Sequence, residues 1–220
     1  MDDEQLTAFY KSVEHREIEK QNAPIVFHIS GSPGSGKTTL VSMLKKQMPT
    51  IYVIDTDEIL DDADPLVVLM RTFPQSSEEY VAAWKKAVRV NIQRCIDSAQ
   101  QHNLSAVVFA GILNNMNGPI RGIVDISDVA HYKYFLNPPL PLLLQRFYGR
   151  YGTLKEDGEF WEGVATDMYP IPSSEQYKAS HEEERVWHVD HGYVLMISQD
   201  HVLSTIQQII YHSKEPLLKC

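Results

Sequence analysis

Eight consecutive residues constrain this chain more than any others: Gly31, Ser32, Pro33, Gly34, Ser35, Gly36, Lys37 and Thr38. They satisfy the pattern G-x-x-x-x-G-K-[ST] at every fixed position. The run before them, Ile25, Val26, Phe27, His28 and Ile29, is nearly continuously apolar and reads as a buried strand. After them Leu40, Val41, Leu44 and Met48 recur at helical spacing until Pro49 stops the helix. Strand, glycine turn and helix in this order build a phosphate cradle. The glycines let the backbone curl so that successive N–H groups point at phosphate oxygens, and the helix adds its positive end. Lys37 then reaches the β- and γ-phosphates, and the Thr38 hydroxyl joins a magnesium shell. The expected nucleotide set is these eight residues with Thr39, and the expected ligands are ATP and Mg²⁺.

The rest of the chain repeats the strand–helix alternation. Strands are expected at 51–54, 106–110, 132–136 and 193–197, and helices at 38–48, 76–101, 139–151 and 200–211. Ser76 and Glu79 have capping-box spacing at the start of the long helix. Tyr80, Trp84, Val88, Ile92, Cys95 and Ala99 form its apolar stripe. Strands alternating with helices predict an α/β fold with a mostly parallel, five-stranded, doubly wound sheet. Ligands of such sheets bind beyond the carboxyl ends of the strands. We read residues 1–220 as a single domain. Residues 1–22 are polar and weakly helical, and 152–192 are charged, aromatic and irregular in period.

Composition excludes several classes. The 220 residues carry 29 acidic and 20 basic side chains, a formal charge of −9. That balance argues against a protein whose main task is gripping nucleic acid, which needs clustered Lys and Arg. Cys95 and Cys220 are the two cysteines, too few for a disulfide framework or a zinc lid. With an acidic N-terminus that lacks an apolar core, they lead us to expect a reduced, cytoplasmic protein. No stretch approaches the roughly 20 apolar residues of a membrane helix. Oligomeric state is left open.

A magnesium-linked aspartate is common after an apolar strand in nucleotide hydrolases. Here the third strand runs into Gly111 and the fourth ends at Asn137. The acidic residues at a strand end are Asp55 and Asp57, whose spacing puts both carboxylates on one face of an extended terminus. One can hold magnesium through water while the other accepts the proton of an acceptor hydroxyl. A structural alternative is that Asp55 caps a turn starting at Thr56 while Asp57 is solvated. Loop and acidic pair together resemble the P-loop NTPases of the small-kinase type: shikimate and gluconate kinases, nucleoside and nucleoside monophosphate kinases, and zeta-toxin-like kinases.

That resemblance implies a three-layer sandwich in which 23–57 carries the loop and the acidic pair, 58–101 an acceptor-binding insertion, and 146–192 a lid. It implies Asp55 and Asp57 on the acceptor, with Asp55 and Thr38 toward the metal. Arg71 and Arg89 become candidates for an anionic group of the acceptor, and Gly111 lets the acceptor approach the backbone. Arg146 and Arg150, four apart on one helical face, lead into the lid and would offset charge on the transferring phosphoryl group. Gly152, Gly158 and Gly163 are hinge candidates, and Lys155 and Arg185 weaker cationic ones. The lid is long, acidic and aromatic, unlike the short arginine-dense lids of adenylate kinases. Tyr80 and Trp84 read as core, and Asp61, Asp62 and Asp64 as a solvated face. His181, His188 and His191 stand among Glu182, Glu183 and Glu184, but not in H-E-x-x-H spacing, and read as an exposed acidic loop rather than a metal site.

The reading is an ATP-dependent phosphotransferase with Lys37, Asp57, Arg146 and Arg150 as catalytic residues. Its acceptor is open among nucleosides, nucleotides and hydroxy or sugar acids. A nucleotide-dependent switch ATPase and a nucleic-acid-end kinase are the alternatives.

Overall fold

A computed structural model describes residues 23–74, 77–111, 114–115, 122–123, 126, 128–151 and 172–213. In chain order its elements are β1 (Ile25–Ser30), α1 (Lys37–Gln47), β2 (Ile51–Asp55), α2 (Pro65–Met70), α3 (Glu78–Gln101), β3 (Ala106–Ala110), the two-stranded ribbon β4 (Asn114–Asn115) and β5 (Gly122–Ile123), β6 (Tyr132–Leu136), α4 (Leu140–Tyr151), α5 (Ser174–Asp190), β7 (Val194–Met196) and α6 (Gln199–Ser213). A 3-10 turn over Thr56–Glu58 follows β2.

β1 is the middle of a five-stranded sheet in the order β2-β3-β1-β6-β7. All four pairings are parallel. Alternating side chains feed two cores. On one face Phe27 and Ile29 of β1, Ala106, Val108 and Ala110 of β3, and Tyr134 and Leu136 of β6 meet Leu40, Val41 and Leu44 of α1 and Val202, Ile206 and Ile210 of α6. On the other, Val26, Val107 and Phe109 meet Val88, Ile92 and Ala99 of α3. The Phe135 ring lies against the imidazoles of His181 and His188 on α5. Helices thus cover both faces in three layers, and the α/β sandwich expected from the alternation is present.

Register aligns the strand ends that matter. Ala110 pairs with Ile29 on one side and Asp55 on the other. The end of β2 is therefore two strand spacings, about 10 Å, from the start of the phosphate loop.

Three local expectations are corrected. The cap of α3 is Ser77, whose hydroxyl accepts from the Tyr80 N–H at 3.1 Å; Ser76 lies outside the described residues. Asp64 is not solvated. It is buried, caps α2 by accepting from the Leu66 N–H at 2.7 Å, and pairs with Arg94. The segment read as an exposed acidic loop is the 17-residue helix α5, opened by a capping box between Ser173 and Gln176. Its buried positions are Tyr177, His181, Glu184 and His188. They fall at helical spacing, but all four carry a titratable group and three of them, His181, Glu184 and His188, are not hydrophobic residues at all, so a hydrophobicity pattern passes over them.

α2 and the first half of α3 form a satellite core of Val67, Met70 and Ala87, with Tyr80 and Trp84 packed against it. Residues 1–22, Ile112 and the middle of the expected lid, with Gly152, Lys155, Gly158 and Gly163, lie outside the described residues.

Candidate functional site

The loop between β1 and α1 needs glycine for its shape. Gly34 and Gly36 have φ of 84° and 98°, which L side chains adopt only at a cost. A Cβ on Gly36 would sit 1.7 Å from Gln199 Nε2. This close approach lets Gln199 donate to the Ser35 carbonyl at 3.0 Å. Arg146 Nη1 donates to the same carbonyl at 3.4 Å. Tyr177 Oη donates to the Pro33 carbonyl at 2.5 Å. Three helices far apart in sequence hold the outer carbonyls of the loop.

Ser32 is held by its side chain. Its hydroxyl donates to Glu184 Oε2 at 2.5 Å and lies 2.8 Å from His181 Nδ1. With the single hydroxyl proton given to Glu184, His181 Nδ1–H is the donor to Ser32 Oγ. Tyr177, His181 and Glu184 lie at i, i+4 and i+7, so one face of α5 makes all three contacts.

Lys37 Nζ donates to the carbonyls of Gly31 and Ser32. Burial pushes its pKa below the ordinary lysine value, while the carboxylates of Glu184, Asp57 and Asp55 hold it up and the Arg150 guanidinium lowers it further. The charges of three acids and one arginine therefore act on the lysine. Arg146 and Arg150 both stand on α4, and Arg146 reaches the loop. Thr38 and Thr39 are exposed at the first turn of α1.

Asp55 ends β2 half-buried and accepts from the Asp57 N–H at 3.2 Å, so it also caps the 3-10 turn. Asp57 is exposed in that turn, so the two carboxylates do not share one face of an extended strand end as the spacing predicted: the chain bends into the 3-10 turn at Thr56, and Asp55 caps it. Behind the pair, Thr56 is buried against Gly111, where a Cβ would fall 1.7 Å from Thr56 Oγ1. The Gly111 carbonyl accepts from His28 Nε2–H at 3.1 Å, and His28 Nδ1 accepts from the Tyr193 hydroxyl at 2.5 Å. Burial lowers His28 to about 3 and His188 to about 4. His181 is lowered by the same cause. The three imidazoles stand neutral near pH 7. Glu184 is raised by burial, against the pull of Ser32 and Lys37.

The other candidate arginines are each paired with an acid. Arg71 is exposed and paired with Asp62. Arg89 grips Asp128 with both nitrogens, one at 2.8 Å, and Arg185 pairs with Glu182.

A family model described as zeta toxin matches residues 11–119, just under half the chain. Protein TT1252 of Thermus thermophilus aligns with a TM-score of 0.51 at 17% identity, over 84% of this chain and 97% of its own. Thymidylate kinase from Candida albicans aligns with a TM-score of 0.51 at 13% identity, over 87% of this chain and 93% of its own. The fold is that of the P-loop kinases. No curated protein matches the sequence.

In this P-loop kinase fold, the residues that sequence reasoning passed over are Tyr177 on α5 and Gln199 on α6, while His181 and Glu184, read as part of an exposed acidic loop, are buried against the phosphate loop. The signal for α5 was present as the capping-box pair Ser173 and Gln176 and as helical spacing of polar groups. No signal within the sequence tied Gln199 to Ser35, 164 positions away. Among the described residues no group of three or more His, Cys, Asp or Glu side chains is arranged to hold a metal, and no helix is long and apolar enough to cross a membrane.

Proposed function

We propose that this protein is an ATP-dependent phosphotransferase acting on a small polar acceptor. What supports the proposal is the strand register, which ends β2 at Asp55 two strands from the phosphate loop and leaves Asp57 in the turn that Asp55 caps, with the charges of both acids and of Arg150 acting on Lys37. A loop built only to bind a nucleotide needs Lys37 but has no need of two carboxylates beside it.

In this reading the amides from Gly31 to Thr39 hold the phosphates, and Lys37 leaves the Gly31 and Ser32 carbonyls for the β- and γ-oxygens. An acceptor hydroxyl oxygen bonds to the γ-phosphorus as the bond from phosphorus to the β–γ bridging oxygen breaks. Asp57 takes the hydroxyl proton, and ADP leaves with the bridging oxygen. Lys37 and Arg150, with Arg146, face the charge that spreads over the transferring group.

Mg²⁺ fits this donor set. It is held by one or two carboxylates with phosphate and water oxygens rather than by an all-protein cage. The exposed Thr38 hydroxyl and Asp55, with one carboxylate oxygen on the Asp57 amide, would hold it, and it would neutralise phosphate charge. Gly111 and the α2–α3 insertion would border the acceptor. Arg71 would have to leave Asp62 to take part.

The test is ADP release from ATP with and without nucleosides, nucleotides, sugars and sugar acids. Acceptor-dependent release with a phosphorylated product is the expected result. Release that no acceptor stimulates, and that a protein partner raises, would mark a switch ATPase instead.

A further inference from the structure

In the phosphotransferase reading Asp55 and Asp57 work from the turn after β2, so whatever seats that turn sets where they stand. The turn has two buried anchors, Thr56 and Ile59, with Asp57 and Glu58 exposed between them. Ile59 belongs to the core beneath α3. Thr56 rests on the end of β3: Asp55 is level with Ala110 in the register, and one residue on Thr56 meets Gly111.

The contact is one of shape. Thr56 Oγ1 is buried and has no hydrogen-bond partner among the described residues, so no polar contact of that hydroxyl holds it there. A Cβ on Gly111 would lie 1.7 Å from Thr56 Oγ1 and 2.9 Å from Thr56 Cβ. Rotating the threonine side chain would clear the first clash but not the second, because its Cβ does not move with χ1. One of the two backbones would have to shift. Gly111 is pinned on both sides. Its N–H donates to the Ile29 carbonyl at 2.9 Å, and its carbonyl accepts at 3.1 Å from His28, whose ring is itself bonded to Tyr193. The turn is held by longer bonds: the Ile59 N–H to the Thr56 carbonyl at 3.3 Å, and the Asp57 N–H to Asp55 at 3.2 Å. The turn would yield, and both carboxylates would move with it.

From this seating of Thr56 on Gly111 we infer that Gly111 is a positioning residue. Its missing side chain fixes the place of the turn that carries Asp55 and Asp57, and it acts on the acceptor through that turn rather than by its own backbone, whose N–H is already given to Ile29. The inference rests on the phosphotransferase reading and deepens it. A displacement on the order of 1 Å at a reacting group can cost about a hundredfold in rate.

The experiment is a double-mutant cycle in the full chain: Gly111→Ala, Thr56→Gly and the two together. Transfer from Mg²⁺-ATP is measured with whichever of adenosine, AMP, glucose and gluconate the wild-type chain phosphorylates fastest. Gly111→Ala should lower kcat by about fivefold or more while the KM for ATP stays within threefold. Gly111 has φ of 150°, where a side chain is strained whatever its neighbours. The double variant separates the two causes, because Thr56→Gly relieves the contact and leaves the strain. It should be at least twofold faster than Gly111→Ala. A smaller loss in Gly111→Ala, a loss confined to the KM for ATP, or a double variant no faster than Gly111→Ala overturns the inference and leaves the phosphotransferase intact. If Gly111→Ala does not fold, a double variant that folds and transfers supports the inference, and one that does not overturns it. No transfer by the wild-type chain to any of the four, with ATP still bound, overturns the phosphotransferase reading and this inference with it.

Discussion

Glu184 accepts a hydrogen bond from the Ser32 hydroxyl at 2.5 Å, joining positions 152 residues apart. The contact fastens the phosphate loop to α5 through a buried carboxylate. Breaking it from the serine side leaves both the carboxylate and the His181 N–H short of a partner. Ser32→Ala should therefore destabilise the fold by roughly 1–3 kcal/mol. For a chain of this size each kcal/mol lowers the melting temperature by about 2–4 °C. Thermal unfolding followed by circular dichroism checks this; an unchanged melting temperature would show that the contact stabilises nothing.

Lys37→Ala removes the one cation that the loop itself supplies. Transfer should fall by roughly a hundredfold or more, with the far-ultraviolet spectrum unchanged because, among the described residues, the Lys37 side chain hydrogen-bonds loop carbonyls and no helix or strand. Steady-state ADP release measures the first and circular dichroism the second.

Asp57 and Asp55 should separate by kinetics. Asp57→Asn should lower kcat more than it raises the KM for ATP, because its carboxylate is assigned to the acceptor hydroxyl. Asp55→Asn should shift the Mg²⁺ dependence of the rate. Equal losses in both parameters for both variants would mean that the pair acts only on nucleotide binding.

Arg146 donates to the Ser35 carbonyl from α4, and the charge of Arg150 on the same helix acts on Lys37. Arg146→Ala should raise the KM for ATP as well as lower kcat, since Arg146 also holds the loop backbone, whereas Arg150→Ala should lower kcat with the KM for ATP within threefold. A KM effect confined to Arg150→Ala, measured by steady-state ADP release, would reverse these roles.

Two buried histidines set an acid limit on stability. His28 and His188 titrate near 6.5 in the unfolded chain and are lowered by burial to about 3 and about 4 in the folded one. Between those values the unfolded chain binds protons that the folded chain does not, so stability falls as pH drops from 6.5 toward 4. Glu184, raised by burial, has the opposite sign: acid favours its folded form between its ordinary value near 4.5 and its raised one. With three histidines lowered by burial, His181 among them, against one carboxyl, net acid destabilisation is expected. Urea unfolding from pH 7 to 4.5 should show it, and His28→Asn should flatten the slope. A slope that His28→Asn leaves unchanged would assign the loss to other groups.

The sequence by itself determined the phosphate loop, the strand–helix alternation and the place of Asp55 at a strand end. Each of these is written in neighbouring residues: glycines where the backbone must turn, apolar runs where both sheet faces are covered, a period of two along a strand. Only the tertiary structure decided what surrounds Lys37. α5 buries a polar face, so its inward positions look like surface in a one-dimensional pattern. Whether Arg71 and Arg89 serve a ligand or an aspartate depends on where Asp62 and Asp128 come to rest, and Glu184 meets Ser32 only after β6 and β7 join the sheet beside β1. Hydrophobic burial leaves a periodic trace along the chain because it acts on every turn of an element. A single buried hydrogen bond or ion pair leaves none, because its partner is chosen by the fold.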